Sequence, residues 1–168
     1  MLRMSFVLKN RKDGSLRLVL PVWFRLMFLF IITLLSAGVF VSGIGAHGQW
    51  ITIIIILACI GGAFYEEKWI FNKSKNTICY ISGTLVINKK KIYKFDNIEN
   101  FKISGEFHSE NEGKLNRLRK KMAKFSLIFK SGEVMDIDIT TGKTTSEELI
   151  IKAKKIANYC GIQLIENC

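Results

Sequence analysis

Asp136 and Asp138 are the two residues of this chain whose type and spacing come closest to chemistry. At positions i and i+2 of a strand they share a face, and two carboxylates on one face can hold a divalent ion. Their neighbours weigh against that use. Met135, Ile137 and Ile139 alternate with Asp136, Asp138 and Thr140, which reads as a half-buried strand with its acids on the wet side. No base or nucleophile accompanies the pair, so no catalytic residue is assigned.

The remaining reactive types are scattered. Residues 43–48 spell GxGxxG, but these glycines join two apolar segments and no βαβ unit surrounds them, so they read as a tight turn. Cys59, Cys79, Cys160 and Cys168 form no CxxC pair, and reduced thiols are expected. His47 and His108 fall in separate segments. No cofactor and no metal is expected.

The most unusual polar stretch runs from Glu106 to Lys124. It begins acidic and ends with Lys114, Arg117, Arg119, Lys120, Lys121 and Lys124. Near an anionic leaflet each such cation gains about 1 kcal/mol. The run is therefore a candidate contact with the membrane surface or with an acidic partner, and a solvated loop is the plain alternative. It lacks the interleaved aromatics that stack on nucleic acid, so no nucleic-acid partner is expected.

Composition says what must position these residues. The chain has 168 residues, 49% of them hydrophobic and 23% charged, with a net charge of +11. Both fractions are high because they are segregated. Residues 26–65 contain no Asp, Glu, Lys or Arg. That excludes a simple soluble enzyme and a disordered chain, and two apolar segments are too few for a large transporter.

The segment 21–41 rises about 31 Å as a helix, and 48–65 rises about 27 Å. Trp23, Trp50 and Tyr65 suit the headgroup level. The first run is longer than a signal-peptide core and a second follows at once, so a retained two-helix hairpin is expected. Lys9, Arg11, Lys12, Arg17 and Arg25 precede it, and Lys68, Lys73 and Lys75 follow it. By the positive-inside rule both termini face the cytoplasm of a bacterial inner (plasma) membrane, in a multi-pass protein. Ala37, Gly38, Ala58, Gly61 and Gly62 would let helices approach closely, within the hairpin or against another membrane protein or a second copy.

Three regions follow: a basic N-terminal segment 1–20, a transmembrane hairpin 21–65, and a cytoplasmic domain 66–168. In the first, Asp13-Gly14 is a good turn, so the segment reads either as a small hairpin docked on the domain or membrane, or as a frayed basic tail. In the last, strands are expected at 69–72, 77–81, 84–88, 91–95, 98–104, 125–130 and 135–140. A closing helix is expected from a Thr145–Glu148 capping box to Gly161, with Leu149, Ile150, Ala153, Ile156, Ala157 and Cys160 inward and Lys152, Lys154 and Lys155 in water. A bent antiparallel sheet or partly open barrel capped by this helix would bury the inventory.

Phe71-Asn72-Lys73 before a Thr-Ile-Cys-Tyr strand, the basic Lys89–Lys94 strand, Asp96-x-Ile98 and the Thr-Ser-Glu-Glu helix resemble the bacterial pleckstrin-homology-like two-span membrane proteins. The order of elements is also similar to the chloroplast photosystem I assembly factor family. The resemblance implies a pleckstrin-homology-like α+β domain. The segregated composition, the lack of a catalytic constellation and the appended β module lead to the expectation of a non-enzymatic scaffold, assembly aid or regulator of another membrane protein. Recognition of anionic lipid headgroups without a fixed protein partner is the alternative.

Overall fold

A computed structural model describes residues 5–42, 49–84, 87–107, 121–141 and 143–167. Strands β1 (Val7–Asn10) and β2 (Leu16–Val19) form a hairpin. Its turn closes through Gly14, whose positive φ of 75° suits glycine, and through the Asp13 carboxylate, which accepts from the Ser15 N–H and O–H. Helices α1 (Val22–Ser42) and α2 (Gln49–Ala63) follow and pack together. Strands β3 (Glu66–Asn72), β4 (Thr77–Gly83) and β5 (Asn88–Lys94) complete an antiparallel five-stranded sheet in the order β1-β2-β3-β4-β5.

The second sheet is mixed. It contains β6 (Ile98–Phe107), β7 (Lys121–Phe129), β8 (Val134–Thr141) and β9 (Leu164–Asn167), in the order β8-β7-β6-β9, with β9 parallel to β6. Helix α3 (Lys143–Cys160) packs on both sheets. Neither sheet closes into a barrel among the described residues.

Paired residues on neighbouring antiparallel strands share a face, so the first sheet's core is built in rows. Leu18, Trp69 and Tyr80 make one row, and Leu16, Phe71, Ile78 and Tyr93 another. Leu18, Phe71 and Ile78 are fully buried. Phe101 and Phe125 of the second sheet meet them, with the Phe71–Phe101 ring centroids 6.4 Å apart and Phe101–Phe125 5.4 Å apart. Helix α3 covers this layer with Leu149, Ala153, Ile156, Ala157 and Cys160, as its 3.6-residue period predicts. It ends at Gly161, which has φ 71° and whose N–H donates to the Ala157 carbonyl.

Of the two readings of the N-terminal segment, the hairpin is the one observed, and it supplies two strands of the first sheet, so that sheet draws on both sides of the apolar stretch. Other expectations are corrected. Of the expected strand 84–88, Thr84 and Ile87 are outside any strand, with the Thr84 N–H donating to the Ile87 carbonyl, Asn88 begins β5, and residues 85–86 lie outside the described set. Helix α3 starts at Lys143, two residues before the expected cap. Strand β9 was not anticipated. Among the described residues, helix α1 is long and apolar enough to cross a membrane, while the apolar α2 has 15 residues and rises about 22 Å, short of a full span.

Leu18 tests whether the N-terminal hairpin is integral. Leu18→Ala should lower the unfolding free energy of the detergent-solubilised chain by about 2–5 kcal/mol, as for a core leucine. A frayed tail would leave denaturant midpoints unchanged.

Candidate functional site

The strongest candidate lies where α1 leaves the sheets. Strand β2 ends three residues before α1, β3 begins three residues after α2, and the two strands pair side by side. Val19 faces Lys68, and the Leu20 N–H donates to the Glu67 carbonyl at 3.4 Å. Two cavities flank this junction, and Leu20 lines both.

The first cavity, about 420 Å³, is walled by Pro21 just before α1, Phe24 of its first turn, Tyr65 and Glu67 beyond α2, and Asp136 to Ile139 of β8. Its geometry comes from an irregularity in β8. Ser126 pairs with Asp136 and Phe125 with Asp138, so Ile137 is an extra residue in a β-bulge. An inserted residue reverses the alternation beyond it. Met135 and Ile137 face the core as expected, but Ile139 turns outward at 46% exposure, while Asp138 and Thr140 turn inward at 5% and 4%. The expected shared wet face of Asp136 and Asp138 is therefore corrected: only Asp136 is on the polar side.

The two acids are held differently. Asp136 accepts from the Ser126 hydroxyl at 2.8 Å and pairs with Lys124 at 3.0 Å. Asp138 accepts from backbone amides of Phe6 and Ile139, yet its Oδ2 has no hydrogen-bond partner among the described residues. Burial pushes its pKa up to about 6. The Lys152 ammonium and the two amides pull it down, and Glu67 adds to the rise. Lys152, expected in water, instead turns inward and donates to the Ser5 hydroxyl at 2.9 Å and the Phe6 carbonyl at 2.8 Å. Glu67 accepts from the phenols of Tyr80 at 2.8 Å and Tyr65 at 3.4 Å, and burial raises the Tyr80 pKa.

The second cavity, about 340 Å³, gathers Lys9, Arg11, Arg17 and Arg25 around an apolar floor of Val19, Leu20 and Val22, with Glu66 on its wall. Arg17 and Arg11 stand 3.7 Å from Asp13, and Arg25 stands 3.8 Å from Glu66. Those distances exceed hydrogen-bond length. The buried Arg17 Nε has no hydrogen-bond partner among the described residues. These cations are read in the sequence as topology signals, and their convergence on one cavity needs the β1–β2 hairpin.

The other sequence candidates are placed as follows. Lys114, Arg117, Arg119 and Lys120 lie outside the described residues, as do residues 43–48, His108 and Cys168. Lys121 begins β7, and Lys124 is engaged with Asp136. Gly62 faces α1, where an added Cβ would come within 2.7 Å of the Phe28 ring. Its expected companion Ala58 points outward, as do Ala37, Gly38 and Gly61. Burial pushes the Cys160 pKa up to about 12, which makes an unreactive thiol. No known protein family and no curated protein matches this sequence.

Asp138 sets a pH dependence. A carboxyl with a raised pKa in the folded state stabilises the fold below its unfolded value near 3.8, and that contribution is lost as pH rises through about 6. Asp138→Asn should therefore add on the order of 2–3 kcal/mol at pH 8 and close to nothing at pH 4. Paired denaturation curves at the two pH values check this, and an equal effect at both would contradict it.

Proposed function

We propose that this chain is a non-enzymatic membrane protein of the bacterial inner (plasma) membrane whose α1–α2 hairpin crosses the bilayer twice. Its β module, of pleckstrin-homology-like type, sits on the cytoplasmic side as a binding platform: a scaffold, assembly aid or regulator of another membrane protein. One observation carries this reading. Strand β3 pairs with β2, so a chain that leaves the sheet through α1 must come back to the side it left. A crossing by α1 therefore requires a return crossing, and α2 is the apolar helix available for it. Its shortness is met by local bilayer thinning and by the flanking Phe64 and Tyr65 at the headgroups. The basic residues on both flanks favour the cytoplasmic side for the module.

The same pairing gives the platform its use. A module clamped to both ends of the hairpin stays at a fixed height and orientation beside the leaflet. The outward Ala37, Gly38, Ala58 and Gly61 offer a close-approach surface for a partner helix or a second copy. An impermeant maleimide applied to intact cells should label Gly45→Cys in a cysteine-free background and leave a lone Cys168 unlabelled until lysis. Labelling of Cys168 from outside, or release of the chain by alkaline carbonate, would overturn the two-span reading.

A second reading is favoured by the basic cavity: recognition of an anionic headgroup by Lys9, Arg11, Arg17 and Arg25 rather than by the 114–124 run. Phosphatidylglycerol added to detergent-solubilised chain should raise its melting temperature, less so as salt rises. Arg17→Gln with Arg25→Gln should remove most of that shift. An undiminished shift would exclude this cavity.

A further inference from the structure

We propose that the acid-lined cavity beside α1 binds the primary ammonium of an aminophospholipid headgroup such as phosphatidylethanolamine. Three features define the ligand. The first is an unmet acceptor: Asp138 lines the cavity at 5% exposure, and its buried Oδ2 has no hydrogen-bond partner among the described residues. A buried carboxylate oxygen without a donor is costly, and a bound N–H removes that cost. The second is charge. Glu67, Asp136 and Asp138 carry three negative charges, and Lys124 and Lys152 supply two positive ones, so one monovalent cation balances the group. An ammonium offers three donors, whereas a quaternary choline offers none.

The third feature is the wall. Leu20, Pro21 and Phe24 line the cavity at the start of α1, and Tyr65 closes it from the end of α2. These are the residues that the membrane reading puts at headgroup level, where a lipid's glycerol and first methylenes could lie along them. A volume of about 420 Å³ admits a headgroup and little more. This choice of a lipid over a soluble amine rests on the membrane reading above.

The test uses the full chain in detergent micelles, titrated separately with short-chain phosphatidylethanolamine, the matching phosphatidylcholine, phosphatidylglycerol and free ethanolamine, and followed by calorimetry. Saturable binding of phosphatidylethanolamine at least about tenfold tighter than phosphatidylcholine is expected. Asp138→Asn should abolish that preference while keeping a cooperative melting transition. Glu67→Gln should weaken it, as a second variant whose site is the same cavity. Equal binding of the two lipids, a preference that survives Asp138→Asn, or a preference for phosphatidylglycerol that persists in the Arg17→Gln, Arg25→Gln variant would overturn the proposal. Ethanolamine binding as tightly as the lipid would overturn the lipid assignment and leave a soluble amine as ligand. Soluble short-chain lipid reaches the cavity whether or not the chain is embedded, so carbonate extraction reports the failure of the membrane reading independently.

Discussion

The pairing of β2 with β3 is the constraint on which the rest of the structure depends. These strands lie on either side of the apolar residues 26–65, yet they are neighbours in one sheet, with Leu16 opposite Phe71 and Leu18 opposite Trp69. Their inward side chains are buried together, so separating the strands would expose Leu18, Trp69 and Phe71 at once. Each large apolar side chain contributes roughly 1.5–3 kcal/mol through burial, so the junction is fixed by the hydrophobic effect more than by any ion pair near it. The surface pairs at Asp13, Glu66 and Glu166 add little by comparison.

From that junction the site follows. The chain turns from strand to helix at Leu20-Pro21, and the turn leaves space on both sides of it. One side collects the cations of the N-terminal hairpin. The other collects the acids of β3 and β8, and reaches the N-terminal strand through the Phe6 amide on Asp138. Helix α3 ties the same hairpin down. The Tyr159 hydroxyl donates to the Gly14 carbonyl at 2.7 Å and accepts from the Lys73 N–H at 3.2 Å. The module is thus wired to the start of α1 by backbone pairing, by core side chains and by the terminal helix.

Much of this was legible in local pattern. Alternation marks β3, β4, β6, β7 and the first half of β8, and the apolar stripe of α3 is read residue by residue. What escaped is non-local. Strand β9 is four residues long and is a strand only because β6 offers a parallel edge to it. The bulge at Ile137 leaves no mark in the sequence, since its alternation runs unbroken through Ile139, yet it decides that Asp138 is buried. The return of β3 to β2 cannot be seen by dividing the chain at its apolar segments, which is why the basic residues before α1 read as a docked hairpin, a tail or a topology signal and not as one wall of a cavity.

Hydrogen exchange of the full chain in lipid nanodiscs tests the central claim most directly. If β2 and β3 form one clamped unit, the paired amides of Leu16–Val19 and Glu66–Asn72 exchange slowly and together, at the rate of the sheet's core. Fast exchange across Leu16–Val19 with β3 still protected would contradict it, leaving the module joined to the helices by flexible chain alone.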